Sequence, residues 1–111
     1  MTYQGIKTMV ESIGLPFAYY QFDEGTVKGP PFVCFYYPGD HDMAADNINY
    51  ARVEQLVIEL YTEQFDPEQE SAVEEVLVAN ELVCSRIRNY IDGEHMHMTT
   101  YTTEVLINVD S

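Results

Sequence analysis

The sequence predicts an α+β domain in which an antiparallel sheet of four to five strands packs with two helices. Two observations carry this prediction. Apolar residues recur at helical spacing near the N-terminus and again after residue 66, whereas the other apolar runs are aromatic or β-branched and alternate with period two. The order helix, three strands, helix, two strands is a strand meander with helices on one face. With 111 residues, 46% of them hydrophobic, we expect one domain, residues 1–111, around one core.

The first helix and the first two strands have clear boundaries in the sequence. Thr2 can cap a helix that Gly14 ends. Aromatic runs then predict strands over residues 17–22 and 32–38, separated by a turn rich in glycine and proline. The apolar face of the helix recurs at i, i+3, i+4 and i+7, at Ile6, Met9, Val10 and Ile13.

A polar stretch over residues 38–49 separates the second and third predicted strands. Hairpins usually need only about two to five residues, so we expect a flexible loop that belongs to an assembly surface. In the run over residues 52–63, Leu56, Ile58 and Leu60 recur with period two, which favours a strand. A helix is the competing interpretation, because apolar residues of this run also fit a helical face.

The second helix has the clearest start. Asp66 is a good N-cap, Pro67 takes the first helical position, and Gln69 completes a pattern like a capping box. The apolar spacing predicts a buried stripe at Val73, Val76, Leu77 and Val83. The solvated face is predicted at Glu70, Glu74, Glu75 and Glu81.

Two further strands are predicted in the C-terminal region. Residues 85–91, SRIRNYI, form either a short strand or the end of the helical region. The dipeptide Asp92-Gly93 signals a tight turn. The threonine-rich alternation that follows predicts a last strand over residues 95–109.

Net charge is the outlier of the composition. Five Lys and Arg face nineteen Asp and Glu, a formal balance of −14. A nucleic-acid-binding protein needs a basic footprint, and anionic membranes repel so acidic a chain, so we expect neither specific nucleic-acid binding nor membrane binding. No basic region followed by an apolar run opens the chain, so no signal peptide is expected. The same charge opposes self-assembly unless the acids point away from the contact or salt screens them.

Cysteine and histidine offer few candidate sites. Cys34 and Cys84 lie in apolar runs without close spacing, so we expect two buried free thiols in a reducing compartment. His95 and His97 share one face of a predicted strand and, with His41, could hold a transition metal. A polar sheet face is the interpretation we favour, because no ordered third and fourth ligands accompany them.

The sequence contains no recognised catalytic motif. It lacks G-x-S-x-G, G-x-x-x-x-G-K-[ST] and G-x-G-x-x-G. Close carboxylate pairs arise by chance among nineteen acids and therefore say little about acid–base roles. We expect no enzyme activity, no cofactor and no metal.

Four stretches, in order, resemble a known family. They are IGLPFAYYQF, PPFVCFYYP, ADNINYARVEQLVIELYTEQFDPEQESAVEEVL and YTTEVLI. Together they resemble small structural proteins of tailed bacteriophages or prophages of Gram-positive bacteria, and more narrowly the tail-terminator or tail-completion proteins. The similarity runs over roughly residues 8–107.

The resemblance implies a virion protein that assembles in the bacterial host cytoplasm into a ring, commonly a hexamer. Such a ring caps the tail tube, so the implied partners are further copies, the tail-tube protein and a head-completion or connector protein. The acidic helix face at Glu70, Glu74 and Glu75 is expected to line the lumen, where like charge lets DNA slide. The expected interface residues, for which ordinary loop anchoring is the alternative, are Asp40, His41, Asp42, Asp46, Asn47, Tyr50 and Arg52.

Two other classes remain open on the sequence. An acidic DNA mimic would use the charge of −14 to block a nucleic-acid-binding protein, although the acids do not form one continuous stripe. A small metal-dependent enzyme would be built around His41, His95 and His97.

Overall fold

A computed structural model describes residues 1–20, 29–39 and 51–108, and at residues 51, 52 and 108 the backbone alone. Within these ranges the predicted α+β class and element order are confirmed. The elements are α1 (Tyr3–Glu11), β1 (Phe17–Tyr19), β2 (Phe32–Tyr36), β3 (Ala51–Thr62), α2 (Pro67–Ala79), β4 (Ser85–Ile91) and β5 (Met96–Asn108). A short 3-10 turn, Asp92–Glu94, joins the last two strands. The five strands form one sheet in the order β1-β2-β3-β5-β4.

Both helices begin at the caps that the sequence predicts. The Thr2 side chain accepts a hydrogen bond from the Gly5 N–H at 2.9 Å, and the Asp66 side chain accepts one from the Gln69 N–H at 3.1 Å. Each satisfies a backbone donor that the first helical turn leaves unpaired. Gly14 follows the end of α1 with φ of 93°, a left-handed conformation that glycine adopts without strain.

The sheet is mixed, which corrects the expectation of an antiparallel one. β1 pairs parallel to β2, with Phe17 opposite Val33 and Tyr19 opposite Phe35. Parallel neighbours need a connection of about a dozen residues to return the chain to the same end, and residues 20–31 supply that length. The first strand ends at Tyr19, earlier than predicted, because Tyr20 takes a left-handed conformation with φ of 74°. Residues 21 and 22 of the predicted strand lie outside the described residues.

The later strands resolve the alternatives that the sequence left open. Residues 51–62 form a strand, paired antiparallel to both β2 and β5, which excludes the helical interpretation. Residues 85–91 form a strand that pairs antiparallel with β5. The last strand starts at Met96 rather than His95, because His95 takes a left-handed conformation after the 3-10 turn.

One face of the sheet, which we term the helix-covered face, holds the core. Ile6 and Val10 of α1 and Val73 of α2 pack there against sheet residues such as Ile58 and Tyr101. These side chains alternate along their strands with those of the opposite face. The predicted apolar faces of both helices are therefore confirmed at Ile6, Met9, Val10, Val73 and Leu77.

The opposite face mixes polar and apolar side chains. Glu59 lies on it and accepts hydrogen bonds from the hydroxyls of Tyr36 at 3.0 Å and Tyr61 at 2.7 Å. Cys34, opposite Glu59 in the ladder, is a buried free thiol, as predicted. Burial, aided by the Glu59 charge, raises the pKa of Cys34 to about 11, so the thiol stays protonated at neutral pH. A protonated buried thiol is a structural group and a poor nucleophile.

Candidate protein-interaction surface

The predicted interface loop at residues 38–49 lies largely outside the described residues. The structure describes residues 38 and 39 of it and resumes at residue 51. Of Arg52, the structure describes the backbone, which pairs with Ile107 between β3 and β5. The interface residues that fall outside the described ranges are Asp40, His41, Asp42, Asp46, Asn47 and Tyr50.

The acidic face of α2 differs from the prediction at Glu70. This residue is 4% exposed and therefore does not lie on the solvated face. Its position is explained by Arg88 of β4, whose Nε and Nη2 donate to the two carboxylate oxygens at 2.8 Å each. Thr99 of β5 donates a third hydrogen bond at 2.9 Å. Three donors compensate for the lost hydration of the carboxylate, as burial of a charge requires.

Arg88 also lowers the pKa of the Glu70 carboxyl. Its hydrogen bonds are the largest cause, and the Thr99 hydroxyl and the charge of Arg86 act in the same direction. Burial alone would raise the pKa, so the bonding outweighs the desolvation. Glu70 is consequently ionised at neutral pH, and its hydrogen bonds to Arg88 and Thr99 hold α2 against the sheet.

Glu74 belongs to the same network, one helical turn further on. Arg86 Nη1 donates to its carboxylate at 2.6 Å, and the Tyr101 hydroxyl donates to the same oxygen at 2.9 Å. Glu75 is exposed, as predicted. Of the three acids predicted to face a lumen, Glu75 alone is free of this network.

The start of β4 exposes apolar side chains beside an open sheet edge. β4 is the last strand of the sheet, and its outer edge pairs with none of the described strands. Val83 is 90% exposed, Val78 of α2 is 71% exposed, and Ile87 of β4 is 60% exposed. Val83 therefore does not belong to the buried helical stripe, because α2 ends at Ala79 before reaching it. Val76 of that stripe is half-buried.

The histidine pair does not lie on one strand face. His95 precedes β5, whereas His97 lies within it and packs its ring against Tyr90 with centroids 5.0 Å apart. Within residues 1–20, 29–39 and 51–108, no three His, Cys, Asp or Glu side chains come together in a way that could hold a metal. Cys84, the second predicted free thiol, is half-buried, and burial raises its pKa.

The Glu70–Arg88 pair was not predicted, although two sequence signals point to it. Glu70 stands three and seven residues before Val73 and Leu77, so it shares their stripe. Arg86 and Arg88 alternate in a strand, so both face the same side. An acid on an apolar stripe and a pair of alternating arginines together indicate an ion pair between a buried carboxylate and a more exposed guanidinium.

No protein-family model matches the chain, and no curated protein matches it either. In the part of the chain that the structure describes, neither helix has the length and apolar character that crossing a bilayer requires.

Proposed function

We propose that this chain is a non-enzymatic structural protein of a phage or prophage tail. Its copies join into a ring that ends the tail tube and connects it to the head. The observation that carries the proposal is that one sheet ends in β1 on one side and in β4 on the other, and no described strand pairs with the outer edge of either. The sequence resemblance to tail terminators supports the same role.

Opposite edges favour a head-to-tail contact between copies. A contact between two different surfaces repeats around an axis and closes into a ring when the rotation fits. The β4 edge is seven residues long, enough to add a strand from a neighbour. Edge strands usually carry charges that block such pairing, but Arg86 and Arg88 are drawn over the helix-covered face by Glu74 and Glu70.

The exposed apolar side chains strengthen this assignment of the contact. Val78, Val83 and Ile87 lie around the β4 edge and are more than half exposed. Removing such surface from water is the main favourable term in protein association. Glu68 and Glu75 of α2 are exposed, and Glu75 lies beside Val78, so salt is needed to screen its charge at this contact.

Within the ring, the outer stripe of α2 is proposed to line the lumen. Glu68 and Glu75 then present like charge to passing DNA, which keeps it from adhering. The substitution Glu75→Lys is expected to lower infectivity about tenfold while the ring still forms, because a lysine attracts phosphate. Infectivity equal to that of the parent would exclude this position from the DNA path.

The direct test of the function uses the tail-tube protein encoded by the same genome. Purified chain is added during tube polymerisation, and tube length and end density are measured by electron microscopy. We expect shorter tubes with extra density at one end. Tubes of unchanged length with bare ends, at concentrations where the chain forms rings, would overturn the terminator role.

A further inference from the structure

A groove of about 880 Å³ lies between α1 and the β1 edge of the sheet. Half of the described residues that line it are aromatic, among them Tyr3 from α1, Tyr19 from β1 and Tyr37 just beyond β2. The Tyr37 ring centroid lies 5.2 Å from that of Tyr3 and 5.9 Å from that of Tyr19. Aromatic faces carry negative potential and attract cations that lie over them.

The groove also contains a buried carboxylate. Glu54 alternates along β3 with Leu56 and Ile58 on the helix-covered face, and it is 6% exposed. One of its oxygens accepts a hydrogen bond from the Tyr3 hydroxyl. Among the residues that the structure describes, the arginine ion pairs involve Glu70 and Glu74, and no lysine or arginine is paired with Glu54. A buried carboxylate without a cation marks a place where positive charge is favoured.

The groove contains a second buried polar group, and this one lacks a hydrogen bond to the described residues. The Tyr37 hydroxyl is buried and forms no hydrogen bond with any described residue. Burial raises the pKa of Tyr37, so the phenol is neutral and can both donate and accept. The groove thus combines aromatic rings, a carboxylate that pairs with no described lysine or arginine, and a hydroxyl that forms no hydrogen bond with a described residue.

We propose that this groove binds the ammonium group of a lysine side chain presented by a partner protein. The aliphatic stem of the lysine lies along the aromatic wall, while the ammonium donates to Glu54 and Tyr37. The ammonium of a lysine carries three donors on one compact atom, which suits two separate acceptors, the Glu54 carboxylate and the Tyr37 hydroxyl.

This inference goes beyond the proposed ring, because it concerns the chemistry of one groove and requires no particular assembly. The net charge of −14 attracts basic partners to the whole surface and raises the rate of encounter. Specificity for lysine arises in the groove, where charge, hydroxyl and aromatic wall converge. The charged group at the rim is Lys7 of α1, which lines the groove and opposes the incoming ammonium.

The test is an NMR titration of the tyrosine ring signals with a short peptide that carries one lysine between two leucines. Matched peptides carry arginine or norleucine at the same place. We expect the lysine peptide to bind about tenfold more tightly than the norleucine peptide. Equal binding of the lysine and norleucine peptides would overturn the proposal, and tighter binding of the arginine peptide would overturn its selectivity.

Two carboxylate variants separate the groove from the overall charge. Glu54→Gln is expected to weaken binding of the lysine peptide about tenfold, because it removes the charge that meets the ammonium. Glu104→Gln removes the same charge from an exposed site on the opposite face and is expected to change the affinity by less than about twofold. Equal losses in both variants would mean that the peptide follows net charge alone.

Variants of the wall and the rim keep the test valid if Glu54→Gln folds poorly. Tyr19→Leu removes an aromatic ring that is 52% exposed, and we expect affinity for the lysine peptide to fall about threefold. Lys7→Gln removes the like charge at the rim and is expected to tighten binding. Weaker binding after Lys7→Gln, or no change after Tyr19→Leu, would contradict the proposed arrangement.

Discussion

At the scale of single residues, two buried polar groups of this chain have opposite surroundings. Glu70 is buried with three donors and a full ion pair, so its charge stabilises the fold. The Tyr37 hydroxyl is buried with no partner among the described residues, so it costs stability. An unsatisfied buried polar group costs about 1–3 kcal/mol, which is comparable to what a well-made hydrogen bond to a charge contributes. Substitutions at the two positions therefore act in opposite directions.

Glu70→Gln is expected to lower the free energy of unfolding at pH 7 by about 2 kcal/mol, since it weakens charge-assisted bonds. The folded-state pKa of Glu70 lies below its ordinary value of 4.5, so the unfolded chain binds the proton more readily. The stabilisation is thus complete above about pH 5.5 and is lost as the pH falls below 4.5 through the folded value. Urea denaturation at several pH values measures this pH dependence of the free energy of unfolding, with Glu75→Gln as the exposed control. A difference between Glu70→Gln and the parent that persists unchanged to pH 3 would contradict the ion pair.

Tyr37→Phe is expected to raise the free energy of unfolding by about 1 kcal/mol, because it removes an unsatisfied hydroxyl and keeps the ring. Tyr101→Phe is the matched control. Its hydroxyl donates to Glu74 at 2.9 Å, so the loss is expected to destabilise by about 1 kcal/mol. Thermal and denaturant unfolding of the two variants measures the change in the free energy of unfolding for each. Equal destabilisation in the two variants would show that the Tyr37 hydroxyl has a partner in solution.

At the scale of elements, the sequence predicts what depends on local periodicity and misses what depends on pairing partners. The caps at Thr2 and Asp66 and the stripe at Val73 and Leu77 follow from neighbours along the chain, and all are confirmed. The parallel pairing of β1 with β2 depends on where a twelve-residue connection runs, which no local pattern encodes. The burial of Glu70 likewise depends on arginines from a strand far along the chain.

The same limit applies to the groove between α1 and β1. Alternation in β3 placed Leu56, Ile58 and Leu60 on the core face, and it placed Glu54 there as well. The hydroxyl that donates to Glu54 belongs to Tyr3, in a helix about fifty residues earlier in the chain. This contact depends on the tertiary fold, so the spacing of residues in the sequence does not predict it.

The β4 edge gives a prediction at the same scale. The double substitution of Val83 and Ile87 to Ser removes exposed apolar surface without changing charge or core. We expect ring formation to be lost while the free energy of unfolding changes by less than about 0.5 kcal/mol, as for other surface substitutions. Sedimentation velocity at high salt measures the assembly. Leu106→Ser is the control, because Leu106 is 57% exposed on β5 and lies four residues beyond the stretch that pairs with β4. Intact rings in the double variant would exclude the β4 edge as the contact.

At the scale of the whole molecule, the proposed ring requires apolar contact to outweigh self-repulsion between copies. Each copy carries a formal charge of −14, so a ring gathers much like charge in a small volume. Salt screens this repulsion over a Debye length of about 10 Å at 0.1 M and about 3 Å at 1 M. Apolar contact at the β4 edge is not weakened by salt in the same way. Assembly should therefore strengthen as the salt concentration rises.

The proposed closed ring can be tested by multi-angle light scattering across protein concentration at low and high salt. We expect a single chain of 12.8 kDa at low concentration and low salt. At high salt we expect one discrete species of about six times that mass, without larger aggregates. A monomer or dimer under every condition would contradict self-assembly into a ring and would favour the acidic DNA mimic.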